Sequence, residues 1–304
     1  MQTMRLTLTG ATGRIGRSIV EAASARGDEL TVLTRSPERA ASKLPQGVEA
    51  LAWDPKGGPA PATALSGRDA VIHLAGEDVA QRWSDRAKQE IRESRELGTR
   101  NLVAGIAAAE PRPTALVSAS AAGYYGARGD EPVDETAPPA DDFLAGVVVA
   151  WEREARRAEE LGVRVALMRT GVVLSADAGA LKKMLPPFRL GVGGPVGGGR
   201  QYIPWVHLDD VVGMYLEAAG DERWSGPVNV VAPGSVTNKE FSKALGKALH
   251  RPAVAPVPGL ALKLLYGEMS QIVLTGARMA PTRAQALGYA FRHPRVQEAL
   301  EATV

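Results

Sequence analysis

The chain has 304 residues, with 36 basic and 34 acidic side chains and a formal net charge of +2 at pH 7. This balance gives no sign of a nucleic-acid or polyanion binder, and the absence of cysteine excludes disulfides and thiolate chemistry. No apolar run approaches the roughly 20 residues that span a bilayer. The first strand follows the start of the chain at once, which leaves no room for a signal peptide. We therefore expect a cytoplasmic protein without membrane or nucleic-acid partners.

Apolar runs alternate with helical segments along most of the chain. Strands are predicted at residues 5–9, 30–34, 48–53, 70–74, 114–118, 163–169 and 227–231. Helices are predicted after Ile15, over 83–109, over 143–161 and after Asp209. Strands that alternate with helices imply right-handed crossovers and a parallel sheet covered on both faces. The predicted fold class is α/β, a Rossmann-type doubly wound parallel sheet with a smaller, mainly helical C-terminal lobe.

The pattern changes in the last part of the chain. Residues 191–199 are too rich in glycine for the interior of a helix or strand and predict a loop, and residues 202–207 return to regular structure. Helices are predicted at 238–249, 260–274 and 295–302. We predict an NADP-binding Rossmann domain at 1–235, with 176–204 as a substrate-side loop insertion, and a helical substrate lobe at 236–304.

The glycine-rich segment Thr-Gly-Ala-Thr-Gly-Arg-Ile-Gly at residues 9–16 directly follows the first predicted strand. Glycines at this spacing let a strand turn sharply into a helix and aim the helix amides at a pyrophosphate. The absence of Lys-Ser or Lys-Thr after the last glycine excludes the phosphate loop of NTPases. The alternative is an ordinary strand-turn-helix corner. The expected cofactor contacts here are Gly10, Thr12, Gly13, Arg14, Ile15 and Gly16.

The end of the second predicted strand indicates which dinucleotide is bound. A carboxylate there would bind the ribose hydroxyls of NAD, but Thr34 is followed by Arg35, Ser36 and, a little later, Arg39. Arginines at this place suit the 2′-phosphate of NADP(H) through charge-assisted hydrogen bonds. The alternative is that Arg35 and Arg39 are solvated surface charges.

Motifs along nearly the whole chain carry a family resemblance. They are the 9–16 segment, 73–77 (HLAGE), 93–95 (ESR) with 98–99 (GT), 118–126 (SASAAGYYG), 141–145 (DDFLA) with 151–152 (WE), 185–188 (LPPF), 199–201 (GRQ), 205–207 (WVH) and 267–269 (GEM). Through them the chain resembles an atypical extended short-chain dehydrogenase/reductase. It is similar to the NAD-dependent epimerase/dehydratase-like proteins that carry a small C-terminal domain of unknown function. The resemblance implies NADP(H) binding but supplies no physiological substrate. On the cofactor side we also place Leu74, Ala75, Gly76, Glu77, Arg95 and Ser118.

The chain departs from that superfamily at its Tyr-x-x-x-Lys pair. In typical members the lysine lowers the pKa of the tyrosine, which then exchanges a proton with substrate. Here the corresponding helix begins at Phe143, and no lysine occurs from Gln89 to Leu181. The candidate catalytic residues are therefore Ser120, Tyr124 and Tyr125. A phenol with no cation beside it keeps a pKa near ~10, and Arg95 or Arg200 is our hypothesis for the missing charge.

Alternatives stay open at these positions. Tyr124 and Tyr125 are as consistent with packing at the sheet edge as with catalysis. The four histidines, at 73, 207, 250 and 293, are scattered without ligand spacing, so no metal site is expected. His73, inside an apolar strand, is predicted to be a hydrogen-bonded core residue. Arg200, Trp205 and His207 are placed on the substrate side.

Two classes of function fit these residues. The first is an NADP(H)-dependent oxidoreductase or epimerase-like enzyme that acts on a carbonyl, alcohol or sugar-like small molecule through the Ser/Tyr cluster. The second is a catalytically weak protein that senses or is regulated by the nicotinamide pool. The glycine loop and the C-terminal lobe favour the enzyme, whereas the missing Tyr-Lys pair favours the sensor. A homodimer is left open.

Overall fold

The computed structural model describes residues 3–304, and its central feature is a parallel sheet of seven strands. The strands, numbered in chain order, are β1 Arg5–Thr9, β2 Glu29–Thr34, β3 Glu49–Ala52, β4 Ala70–His73, β5 Ala115–Ala121, β6 Pro132–Val133, β7 Arg164–Thr170, β8 Val172–Leu174, β9 Tyr202–Ile203, β10 Trp205–His207, β11 Gly226–Val230, β12 Val236–Thr237 and β13 Arg278–Met279. The sheet order is β11-β7-β5-β4-β1-β2-β3. The order reverses between β1 and β4, where a doubly wound sheet binds its ligand. The predicted fold class is confirmed.

Helices cover both faces of the sheet. They are α1 Arg14–Ala25, α2 Pro37–Ala41, α3 Asp85–Ala108, α4 Phe143–Arg156, α5 Gly179–Arg189, α6 Leu208–Gly220, α7 Asn238–Ala248, α8 Gly259–Tyr266, α9 Gln271–Leu274, α10 Thr282–Ala286 and α11 Val296–Thr303. On one face α1 and α6 bury Ile19 and Val211 in a core that includes Leu8. On the other face α3 and α4 bury Leu102 and Ala155. Burying a side chain as large as leucine stabilises the fold by roughly 1.5–3 kcal/mol.

Strand β5 is longer than predicted, and this places polar side chains at the carboxyl edge of the sheet. It runs to Ala121 and pairs with β7 so that Ser120 lies beside Arg169. On the other side of β7, Asn229 of β11 also lies beside Arg169. Partners in a parallel register point to the same face, so these three side chains form one row on the face that α3 and α4 cover.

The predicted regular segment 202–207 is two short strands, β9 and β10, which pair with different partners. Pro204 lies between them, and its carbonyl oxygen accepts a hydrogen bond from the Val172 amide at 2.7 Å. A Cβ at Gly171 would lie 1.9 Å from that oxygen, so only glycine allows this approach. As a result β10 pairs with β8, and β9 pairs with β12.

The segment 176–204, predicted as a loop insertion, contains a helix. Residues 179–189 form α5, which buries Leu181, Leu185 and Phe188. Residues 190–201 have no helix or strand, and their one bridge joins Val196 to Val257. The glycine loop predicted at 191–199 lies wholly within this irregular stretch, whereas the first part of the predicted 176–204 insertion is helical.

The C-terminal segment is helical with more interruptions than predicted. The predicted helix 260–274 is split into α8, a 3-10 turn Gly267–Ser270 and α9, because Gly267 adopts a φ of +61°. Helices α7 and α11 pack together through Phe241 and Leu300, in a cluster that also includes Trp205. In residues 3–304 there is no helix with the length and apolar character needed to cross a membrane.

Candidate cofactor and active site

The glycine turn lies between β1 and α1. Gly10 has a φ of +72°, and a Cβ there would lie 2.7 Å from the carbonyl carbon of Leu74. A Cβ on Gly16 would lie 2.4 Å from the Gly10 oxygen. Gly13 precedes the first residue of α1, and no described side chain caps this helix start. The turn therefore leaves amides at the start of α1 without a side-chain partner among the described residues, which is the arrangement that can bind an anion.

Thr9 and His73 shape the segment that faces this turn. The Thr9 hydroxyl accepts hydrogen bonds from the amides of Leu74 and Ala75, at 3.1 and 3.2 Å, and lies 2.7 Å from His73 Nδ1. These two amides engage both lone pairs of the Thr9 oxygen, so Thr9 donates its hydroxyl proton to His73 Nδ1. His73 therefore carries its own proton on Nε2, 3.0 Å from the Thr99 hydroxyl. Burial lowers the pKa of His73 to about 4, and the Arg95 charge adds to this. His73 is the neutral core residue that the sequence predicted.

Two arginines stand free at the end of β2. The side chains of Arg35 and Arg39 are exposed and form no hydrogen bond or ion pair within residues 3–304. Ser36 precedes α2, and no side chain of the described range caps that helix. Arg14 differs, because its guanidinium bonds Asp177 at 2.9 Å and Ser175 at 3.2 Å. The free positive charge at this edge therefore lies on Arg35 and Arg39.

Arg95 lies under the segment that follows β4. Its guanidinium carbon is 5.1 Å from the centre of the Trp151 ring and would be 3.2 Å from a Cβ on Gly76. Burial lowers the pKa of Arg95 to about 10, against the opposing charges of Glu77 and Asp78. It forms no ion pair within the described range, and its one hydrogen bond goes to the Ile91 carbonyl at 3.1 Å. Arg95 is thus a half-buried cation beside the expected cofactor path, not beside the tyrosines.

The tyrosine cluster is organised by a buried ion pair. Arg169 Nε and Nη2 donate to the two carboxylate oxygens of Glu152 at 2.8 and 2.9 Å, and Ser120 donates to the same carboxylate at 2.6 Å. Arg169 Nη1 donates to the Tyr125 hydroxyl at 2.9 Å, which in turn donates to Asn229 at 2.7 Å. Burial disfavours the charged form of Arg169. The hydrogen bonds and negative charge of Glu152 more than offset this effect of burial, so the pKa of Arg169 is raised above its usual value.

This network separates the two tyrosines. Tyr125 is 0% exposed, and burial raises its pKa to about 12 although Arg169 acts in the opposite direction. The expectation that Tyr125 donates a proton to substrate is therefore wrong. Tyr124 is half-buried, and its ring centre lies 3.5 Å from the Arg169 guanidinium carbon. Ser120 is buried against Glu152, and Ser118 is fully buried with a bond to the Ala119 carbonyl.

The three residues assigned to the substrate side do not form one surface. Trp205 is 1% exposed, its ring donates to the Gly234 carbonyl at 2.7 Å, and it belongs to the C-terminal core, so its assignment is wrong. His207 is buried at the start of α6 and accepts a hydrogen bond from the Asp209 amide. Arg200 is exposed in the glycine loop. The cation that lies beside the two tyrosines is Arg169, not Arg95 or Arg200.

The sequence analysis also missed a lysine from another helix. Lys88 of α3 lies with its Nζ 5.4 Å from the centre of the ring of Phe143, the first residue of α4. Its ammonium group pairs with Glu268 of the C-terminal segment. Trp83 packs on the same ring, 5.2 Å away. The sequence does not indicate this contact, because Lys88 and Phe143 are far apart along the chain and meet only where α3 packs against α4.

Family models match most of the chain. Residues 6–231 match the NAD dependent epimerase/dehydratase family, and residues 257–303 match a C-terminal domain of unknown function, DUF1731. The chain belongs to the NAD-dependent epimerase/dehydratase family. The resemblance stated from the motifs is thereby confirmed.

Relatives within this epimerase family share the full length of the chain. An epimerase family protein from Arabidopsis thaliana, a chloroplastic SDR39U1 homologue, is 41% identical, with 98% of this chain and 86% of the relative covered. An epimerase family protein of Mycobacterium bovis is 39% identical over 97% of this chain and 96% of its own. The crystal structure of human SDR39U1 isoform 2 with NADPH is 34% identical, covers 99% of both chains and has a TM-score of 0.88.

Proposed function

We propose that this epimerase-family protein binds NADP(H) and uses it to oxidise or reduce a carbonyl, alcohol or sugar-like small molecule. The observation that carries the cofactor choice is the pair of cations without a partner in residues 3–304, Arg35 and Arg39, which follow β2 where that strand ends in Thr34 and not in a carboxylate. The NADPH in the human relative supports the same choice. The open start of α1 would hold the pyrophosphate, and Arg95 would lie beside it.

The tyrosine cluster supports chemistry beyond binding. When bound, the nicotinamide would supply or take up the hydride. Ser120 donates its proton to Glu152, so its oxygen lone pairs can accept a hydrogen bond from a substrate alcohol. Tyr124 is the phenol that is only half-buried, and the Arg169 guanidinium lies against its ring. Arg169 would thus supply a positive charge beside the tyrosine, as the lysine does in the superfamily.

Substrate would bind between the tyrosine cluster and the C-terminal segment. The Lys88–Glu268 pair and the Phe143 ring mark where that segment meets α3 and α4. This supports the proposal that residues 236–304 act as a substrate lobe over the Rossmann domain of residues 1–235. The proposal also assigns the glycine loop, with Arg200, to the substrate side of the site.

Two measurements test the proposal. Calorimetric titration should give stoichiometric uptake of NADPH and weaker uptake of NADH. The protein should then oxidise NADPH in the presence of at least one member of a panel of aldehydes, ketones and keto-sugars, followed by the nicotinamide absorbance. Binding of NADPH with no turnover on any compound would instead support the sensor, and failure to bind either coenzyme would overturn the proposal.

A further inference from the structure

Two histidines far apart in the sequence meet at the start of α6. The ring centres of His207 and His293 lie 3.8 Å apart, with an angle of 40° between the rings. One carboxylate oxygen of Asp209 lies 3.5 Å from His293 Nε2 and 3.7 Å from His207 Nδ1. One donor atom from each of the three residues lies within 4.8 Å of the others. Spacing along the chain does not indicate this set, because it depends on contact between α6 and the segment before α11.

The two separations between the Asp209 oxygen and the imidazole nitrogens fit a tetrahedral metal ion. With Zn–N and Zn–O bonds of about 2.0–2.2 Å, two ligand atoms at a tetrahedral angle lie about 3.3–3.5 Å apart. The observed 3.5 and 3.7 Å therefore need shifts of only a few tenths of an ångström. We propose that His207, Asp209 and His293 form a binding site for a divalent transition metal of the zinc type, separate from the coenzyme.

The backbone around these ligands is fixed without a metal. The Asp210 carboxylate accepts hydrogen bonds from the amides of Arg292 and His293, at 2.7 and 3.0 Å, and from the Tyr289 hydroxyl at 3.2 Å. Asp210 is fully buried, so these bonds clamp the His293 segment against α6. His207 and Asp209 lie at the first turn of the same helix. The metal would therefore meet ligand residues whose backbone is already in place.

The donor set indicates the class of metal. Two imidazole nitrogens and one carboxylate suit zinc, cobalt, nickel or copper rather than magnesium or calcium, which prefer oxygen ligands alone. His207 Nδ1 now accepts the Asp209 amide at 3.1 Å, and the metal would replace that bond. The side chain of Asp209 is 51% exposed, which gives an ion access and leaves a fourth position for water. Such a site would join α6 to the segment before α11.

The test uses untagged full-length protein, stripped with a chelator and titrated with Co²⁺ and Zn²⁺. We expect one Co²⁺ per chain, with the visible absorption of a four-coordinate site, displaced by one Zn²⁺. The variant His293→Ala should weaken Co²⁺ binding at least tenfold and abolish the rise in melting temperature that Zn²⁺ causes. The matched control is His250→Asn, because His250 is exposed and its φ of +52° suits asparagine.

Folding of each variant is checked by its far-ultraviolet circular dichroism. If His293→Ala does not fold, Asp209→Asn replaces it, since this exposed side chain is not part of the core. Loss of Co²⁺ binding in either ligand variant but not in His250→Asn supports the site. The proposal fails if the wild type binds no stoichiometric metal, or if the ligand variants and the control bind it equally.

Discussion

Arg169 and Glu152 form a two-bond ion pair beneath the tyrosine cluster, and both side chains are more than nine-tenths buried. The pair joins β7 to α4 and at the same time holds Ser120 and Tyr125 through further hydrogen bonds. Removing one partner from a buried pair leaves the other charge without compensation, which is far more costly than losing an exposed pair. The pair therefore fixes the site geometry as well as the local fold.

We expect Glu152→Gln to lower the free energy of unfolding by about 3–5 kcal/mol, because Arg169 then keeps a buried charge with no anion. Urea denaturation monitored by tryptophan fluorescence measures this change. The control is Glu159→Gln, which removes an exposed pair with Arg156 and should cost about 0–1 kcal/mol. Similar losses in the two variants would show that the Glu152–Arg169 pair has no special role.

The glycine turn and the arginines after β2 could be predicted from sequence because these residues are close along the chain. The glycine turn needs only local spacing, and the charge at Arg35 follows directly from the end of β2. The hydrogen-bonded network around the tyrosines could not, because Ser120, Arg169 and Asn229 meet only through the register of three strands. Tyr124 and Tyr125 are neighbours in sequence, yet β5 and the network bury one and leave the other accessible. No hydrophobic periodicity in the sequence distinguishes the buried Tyr125 from the half-buried Tyr124.

The variant Arg35→Ala tests the selection of the 2′-phosphate. Loss of a hydrogen bond to a charged group costs about 1.5–3 kcal/mol, so the Kd for NADPH should rise about 10- to 100-fold. The Kd for NADH should change little, because NADH has no phosphate at that place. Calorimetry with both coenzymes measures the difference. Arg223→Ala is the control, since Arg223 is exposed, pairs within residues 3–304 only with Asp221 and precedes β11 at the opposite edge of the sheet. Equal losses for both coenzymes would contradict the role of Arg35.

Tyr124→Phe and Tyr125→Phe form a matched pair that differs only in which phenol is lost. With a compound that the panel identifies, Tyr124→Phe should lower kcat by about 10²- to 10⁴-fold, the usual contribution of a positioned proton donor. Tyr125→Phe should leave kcat nearly unchanged but lower the free energy of unfolding by about 1–3 kcal/mol, because Arg169 and Asn229 lose a buried partner. Steady-state kinetics and denaturation curves separate the two effects. A larger kcat loss for Tyr125→Phe would reverse the assignment.

His73 should make the protein less stable in acid. Its pKa falls from 6.5 to about 4 on folding, so above pH ~6.5 neither state binds the proton. Between the two pKa values only the unfolded chain binds the proton. The free energy of unfolding should therefore fall by about 1.4 kcal/mol for each unit by which the pH is lowered in this range. Urea denaturation between pH 7 and 5 measures the slope, to which His207 also contributes. His73→Asn should reduce this slope, whereas His250→Asn should leave it unchanged. An unchanged slope in His73→Asn would show that His73 is not the neutral core residue described above.

Gly16→Ala should disrupt the coenzyme turn, because the new Cβ would lie 2.4 Å from the Gly10 carbonyl oxygen and 2.7 Å from the Ala11 Cα. Both contacts are with backbone, so the start of α1 must move, and we expect the affinity for NADPH to fall at least ~10-fold, as for the loss of one charged hydrogen bond. Gly146→Ala is the opposite case, since Gly146 is an exposed helical residue with no heavy atom of residues 3–304 within 4 Å of its added Cβ. It should raise the free energy of unfolding by about 0.5–1 kcal/mol and leave NADPH binding intact. Calorimetry and denaturation on both variants measure this contrast, and a Gly16→Ala protein that binds NADPH normally would show that the close approach at the turn is not needed for the coenzyme.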